Sequence, residues 1–191
     1  MKIRHSVNAV LVFAALLAAC RPAADPVVIG TASITPSPGA TEAAASSGAA
    51  QEIAIPDEGN AHVLEGAPIE YQHYPPASGP HYPTWLLYGM YEREDIPEGY
   101  WVHDLEHGAI VILYKCDQPC PDLVESLKDL IPSLPLTQWD NRKVVIVPYN
   151  KMDTLLMAVS WNVQMPLERF DAQALIDFYV RHVDRGPENV P

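Results

Sequence analysis

The chain has 191 residues, with 12 Lys and Arg against 24 Asp and Glu, a formal charge of −12 at neutral pH. Such a balance argues against nucleic acid and anionic membrane surfaces as targets, since both repel carboxylates. It suits cations, although a solvated acidic surface produces the same composition.

In chain order, Met1, Lys2, Arg4 and His5 precede the apolar run VNAVLVFAALLAA and then Cys20, the charged-then-apolar layout of an export signal. The run is too short to favour a membrane-spanning helix. Leu17-Ala18-Ala19-Cys20 resembles the lipobox of bacterial lipoproteins. That resemblance implies a signal peptide over 1–19, cleavage before Cys20, a lipid on its sulfur, and an exported protein anchored to the cell or outer membrane. Residues 20–58 are Ala, Pro, Ser, Thr and Gly with almost no aromatics, as in TASITPSPGATEAAASSGAAQ. They cannot bury enough apolar area to offset the entropy of ordering, and read as a disordered tether. Residues 59–191 read as a single globular domain long enough for a core.

Residues 62–108 hold five of the seven histidines, the pair Pro75-Pro76 and several aromatics, with little periodicity. A long irregular segment in a compact domain is commonly functional, and its Tyr and Trp content argues for order. Beyond it the pattern is regular. AIVILY (109–114) reads as a central strand covered on both faces. A helix over 121–131 follows, with Pro121 first, Asp122 and Glu125 early, a Leu123/Val124/Leu127/Leu130/Ile131 stripe and Pro132 as its stop. KVVIVP (143–148) and LLMAVSW (155–161) read as strands. Asp171 caps a last helix with Ala172, Leu175, Ile176, Tyr179 and Val183 inward, ended by Gly186-Pro187. The order β-α-β-β-α behind an irregular His/Pro/Tyr-rich region indicates a mixed α+β fold within the α/β class.

Three stretches carry a resemblance: HYPPASGPHYP (73–83), GMYERE (89–94) and VHDLEHGAIVILY (102–114), with Trp161 and Gly186-Pro187-Glu188 further on. Together they resemble the bacterial domain-of-unknown-function family 3105. The family has no settled activity, and the resemblance implies histidines recurring at His62, His81, His103 and His107, which points to metal binding. On a helix, His103 and His107 would lie one turn apart, with Cβ atoms about 5–6 Å from each other, suiting one ion. In a strand they would be about 13 Å apart. Tyr100, Trp101 and Val102 favour extended chain while Gly108 can end a turn, so the expectation is one helical or bulged turn before the strand.

Further ligands must come from elsewhere. His81 leads, because Ser78-Gly79-Pro80 would fix its ring, followed by His62, His73 and Met90. Imidazoles point to copper or zinc, and a Met90 thioether would tilt the choice to Cu(I). Glu106 is expected as a partner fixing a tautomer. The expected function is a metal-binding or delivery module, copper ahead of zinc, with a possible extracytoplasmic protein partner. The competing reading makes these histidines structural and the Tyr/Trp surface of residues 71–101 a docking face.

Two enzyme classes stay open. HDLEH matches H-x-x-E-H of inverted zinc peptidases, which requires a regular helix through His103, Glu106 and His107. Cys116 and Cys120 are the thiols left after Cys20; they suit a disulfide at a strand-to-helix turn in an oxidising compartment. The strand, C-x-x-x-C-P and helix also look like the copper site of the Sco-type thioredoxin-fold chaperones. Trp85, Trp101, Trp139 and Trp161 are expected as packing aromatics, Met152, Met157 and Met165 as gap fillers, and His182 as solvated.

Overall fold

In the computed structural model, residues 50–93 and 95–191 are described; the export signal, Cys20 and most of the tether lie outside the described residues. Three strands fall where the apolar runs predict: β3 (Ile110–Tyr114), β4 (Val144–Pro148) and β5 (Leu156–Ser160), numbered after two short strands upstream. Those two are β1 (Ile53–Ala54) and β2 (Gly89–Met90), and β6 (Val163–Leu167) follows β5. None of the three was expected. The six form one sheet in the order β1-β6-β5-β3-β4-β2, parallel across β3-β4-β2 and antiparallel elsewhere. Gln164 and Pro166 obscure β6, and Pro166 is tolerated because β1 pairs only with Val163 and Gln164, leaving β6 an open edge beside the proline.

Residues 50–58 correct the boundary of the tether. Ile53 and Ala54 join the sheet, and the Glu52 carboxylate pairs with Arg181 and His182 (His182 Nε2 at 3.0 Å), so His182 is paired rather than solvated. A strand only two residues long, near a proline, leaves too short a pattern to read.

Each face of β3 feeds a different core. Ile110, Ile112 and Tyr114 face α2 (Pro121–Ser133) and α3 (Ala172–His182), packing with Leu127, Leu130, Leu175, Phe178 and Tyr179. Val111 and Leu113 face the opposite layer, α1 (Glu98–Glu106) and the irregular region, with Tyr71, Trp101, Val102 and Leu105. Burial on both faces explains why the strand is apolar without alternation. Helix α2 runs two residues past Ile131, carrying Pro132 inside its last turn, where the proline forgoes one i→i−4 hydrogen bond just before the helix ends. Asp171 caps α3 by accepting from the Ala174 N–H at 3.0 Å. The Cys116–Cys120 disulfide joins the end of β3 to the start of α2.

Helix α1 replaces the single turn expected before β3. Local propensity loses to burial here: Trp101, Val102 and Leu105 are fully enclosed, and helical spacing is what brings them onto the sheet. Gly99 permits the close approach, since a Cβ there would meet the Ile69 and Tyr82 side chains at 2.8 Å. Trp101 is thus a core residue and Trp161 packs against the same cluster, whereas Trp85 and Trp139 are partly exposed.

The carboxy-terminal segment staples the end of α1. Gly108 ends the helix at φ +79°, and the Asp184 N–H donates to its carbonyl at 2.9 Å. The Glu188 N–H donates to the Glu106 carbonyl at 3.0 Å. Gly186 lies so close that any Cβ would sit 2.2 Å from the Glu106 carbonyl oxygen. Behind this crossing, the fully buried Lys143 ammonium pairs with Asp184 at 2.9 Å and donates to the carbonyls of His107 (3.1 Å) and Val190. Two carbonyls accept from the ammonium and the Asp184 carboxylate beside it supplies the opposite charge, which together make its burial tolerable.

Asp104, also fully buried on α1, accepts from the Leu86 N–H at 3.1 Å through Oδ2, while Oδ1 has no partner. Burial raises its carboxyl pKa well above the ordinary 3.8, against a smaller opposing pull from the Leu86 hydrogen bond.

Two stability experiments follow from these groups. Lys143→Met strands the Asp184 carboxylate and should cost roughly 3–5 kcal/mol in urea unfolding; a loss below about 1 kcal/mol would show that the pair adds nothing over an apolar side chain. For Asp104, the folded pKa lies above the unfolded one, so its contribution is fully present below the unfolded value of 3.8 and fades as pH rises through the folded value. Asp104→Asn, which keeps the acceptor but cannot ionise, should therefore gain stability relative to wild type as pH is raised from 4 to 8; parallel pH curves would overturn the assignment.

Candidate metal centre

Two paired backbone segments carry His62 and His81 side by side. The His81 N–H donates to Ala61 at 3.0 Å, and the Val63 N–H donates to His81 at 2.8 Å. The SGP turn then fixes the buried His81 ring. Ser78 Oγ accepts from the Glu58 N–H at 2.9 Å, and Gly79 adopts φ +119° with a Tyr71 ring atom 3.0 Å from any added Cβ. The Gly79 carbonyl accepts from His81 Nδ1 at 2.9 Å. On α1, His103 Nδ1 likewise donates to the Tyr82 carbonyl at 2.6 Å.

Those two hydrogen bonds decide the tautomers. A carbonyl can only accept, so both Nδ1 atoms carry a proton and each Nε2 is left to a second proton or to a metal ion. His81 Nε2 meets Glu106 Oε2, an acceptor on a carboxylate that is 1 % exposed, at 2.9 Å. Two acceptors at that distance repel unless a proton or a metal ion lies between them. His62 Nε2 lies 3.7 Å from the same oxygen, and His103 Nε2 lies 3.0 Å from His107 Nε2. The other Glu106 oxygen accepts from Asn60 Nδ2 at 2.9 Å.

Desolvation lowers the pKa of His103, and lowers that of His107 to about 4, with the neighbouring His103 acting in the same direction. Both rings are neutral at neutral pH and so available as donors. Among the described residues, ligand atoms of His62, His81, His103 and Glu106 all lie within 4.8 Å of one another, as do those of Glu106, His107 and Glu188. His62 is the exposed member of the first set. The Trp85 indole rests on His103 and His107, with ring centroids 5.3 and 5.2 Å away.

Five of the seven residues singled out as ligands or ligand partner thus come together: His62, His81, His103, His107 and Glu106. The other two do not join them. His73 pairs with Glu58 at 2.8 Å, next to the cis Tyr74–Pro75 bond, and fastens the loop instead. Met90 lies in β2 opposite Ile146 and packs on the α2 side of the sheet, which removes the thioether argument for Cu(I). Glu106 stands among the ligand atoms themselves, not behind them. Asn60, Trp85, Lys143 and Glu188 also lie at the site, and of these only Glu188 has a signal in the sequence, as part of the Gly186-Pro187-Glu188 triplet.

No curated protein and no solved structure is detectably similar to the chain. Over residues 62–191, which include both sets of histidines and carboxylates, the sequence matches a family described as "Protein of unknown function (DUF3105)". The match spans more than half of the chain and all of the elements from β2 to α3, and the protein belongs to that family.

Proposed function

We propose that this protein is an exported, lipid-anchored metal-binding or delivery module in which His62, His81, His103 and Glu106 hold a transition metal ion. The observation that carries this reading is the convergence of ligand atoms from His62, His81, His103 and Glu106 within 4.8 Å of one another, with His81 Nε2 meeting the buried Glu106 carboxylate at 2.9 Å. Carbonyl-locked Nδ1–H groups are the usual support of ligating histidines, because they fix ring orientation and raise basicity. Three imidazoles and one carboxylate suit Cu(II) or zinc, and copper stands ahead because it binds a given nitrogen and oxygen set more tightly. One exposed ligand beside three buried ones gives an ion a path in and out.

Helix α1 does supply part of what a zinc peptidase needs, since it runs through His103 and Glu106. Its glutamate, however, contacts His81 and Asn60, where the peptidase mechanism requires it free to activate water. The Cys116–Cys120 pair is closed as a disulfide, and neither metal-capable set among the described residues contains a cysteine. A docking surface is the second reading, favoured by exposed Leu64, Trp85 and Leu87.

The test is metal loading of the full chain purified in detergent. Added zinc or copper at one hundred times its Kd should stabilise the fold by about 2.7 kcal/mol, or about 5–10 °C in melting temperature. His62→Ala, at an exposed position that should not disturb folding, should weaken binding by tenfold or more. His81→Gln should lose it. If wild type binds neither ion and its melting temperature does not move, the metal reading fails and the docking reading takes its place.

A further inference from the structure

Six donor groups gather at this centre, and a tetrahedral ion takes four. His62, His81, His103 and Glu106 complete the first ion proposed above. His107 and Glu188 remain, and with Glu106 they form a set of their own. We propose that the centre is dinuclear, with a second divalent ion held by His107, Glu188 and a bridging Glu106; this rests on the first ion binding as described.

Spacing supports the second position. His107 Nε2 lies 3.0 Å from His103 Nε2 and 3.4 Å from Glu188 Oε2, the second distance beyond the usual range of about 2.7–3.2 Å for an N–H···O hydrogen bond, and the second ion takes the place of the proton the two imidazoles share. Two atoms each about 2.1 Å from a tetrahedral ion lie about 3.4 Å from one another. The gap between these side chains is thus wide for a proton and suited to a metal.

Glu188 is also placed by more than its own side chain. Its N–H is bound to the Glu106 carbonyl, Gly186 passes against the same carbonyl, and Lys143 holds the carbonyls of His107 and Val190 on either side. The carboxy-terminal strap therefore carries a ligand to the far side of Glu106 and fixes it there. A carboxylate oxygen has a lone pair for each of two ions, and carboxylate-bridged ions sit about 3.5–4 Å apart. The Glu188 side chain is 47 % exposed, so water completes the second coordination sphere from solvent. One imidazole and two carboxylates make this the harder of the two donor sets, suited to zinc or another divalent first-row ion and filled after the nitrogen-rich one.

Zinc titration of the tag-free full chain, with bound metal counted by native mass spectrometry, tests the assignment. Wild type should take up two zinc ions per chain in two steps. Glu188→Gln, at an exposed position, should fold with an unchanged apo melting temperature and take up one zinc ion, its first affinity unaltered. One zinc ion in wild type, unchanged by Glu188→Gln, would overturn the dinuclear centre and leave the first site standing. Two ions in both proteins would overturn the role of Glu188. No zinc in either would remove the first site together with the second.

Discussion

The Nδ1–H groups of His81 and His103 donate to the carbonyls of Gly79 and Tyr82, and that choice of tautomer decides what the rest of the centre can be. With the opposite tautomer, His81 Nε2–H would simply donate to Glu106 and the contact would be an ordinary buried hydrogen bond. As built, Nε2 of His81 faces a buried carboxylate with its other nitrogen already committed, so the contact needs a second proton or a metal ion between the two atoms. An uncompensated arrangement of this kind costs several kcal/mol. A fold keeps it where a cation offsets the repulsion, and proton and metal are the two candidates of suitable size.

Holding that arrangement still requires rigid support, and the sheet supplies it. Because β3 is buried on both faces, α1 can lie on one side while α2 and α3 close the other, so the helix bearing His103 and Glu106 has a packed floor. Its free end is then tied by the segment from Asp184 to Val190, through backbone hydrogen bonds and the Lys143 ammonium. Gly108 and Gly186 are both needed at that crossing, since a side chain on either meets backbone at 3.0 Å or less. The GPE triplet and the LEHG end of α1 are therefore two halves of a single contact.

Much of this was legible in the residues, and the limits have physical causes. Continuous apolar runs identified β3, β4 and β5 because complete burial leaves no polar face to confuse the pattern. The strands that escaped, β1, β2 and β6, are either two residues long or carry Gln164 and Pro166, so they resemble loop. The pairing of His103 with His107, and the choice of His81 to join them, came from spacing and turn chemistry, and those rings do come together. His73 and Met90 could not be separated from true neighbours of the centre by sequence alone, since their positions depend on where a long irregular segment turns back. Helix α1 was underestimated because Trp101 and Val102 favour extended chain locally, and only tertiary burial reverses that preference. The place of Lys143 had no local signal, as a lysine before a strand ordinarily reads as solvated.

The distribution of carboxylates bears on what the proposed centre does. Catalysis of hydrolysis asks for a bound ion and, beside it, a base free to take a proton. Glu106 is already engaged by His81 and Asn60, and Glu188 reaches the imidazole of His107. Asp104, the remaining acid of the HDLEHG stretch, has its pKa raised by burial and binds the Leu86 N–H, so it helps to hold the loop that carries Trp85. Each carboxylate of the region thus has a ligating or structural partner. That distribution fits the proposed ion-holding role, in which the exposed His62 would be the exchangeable contact.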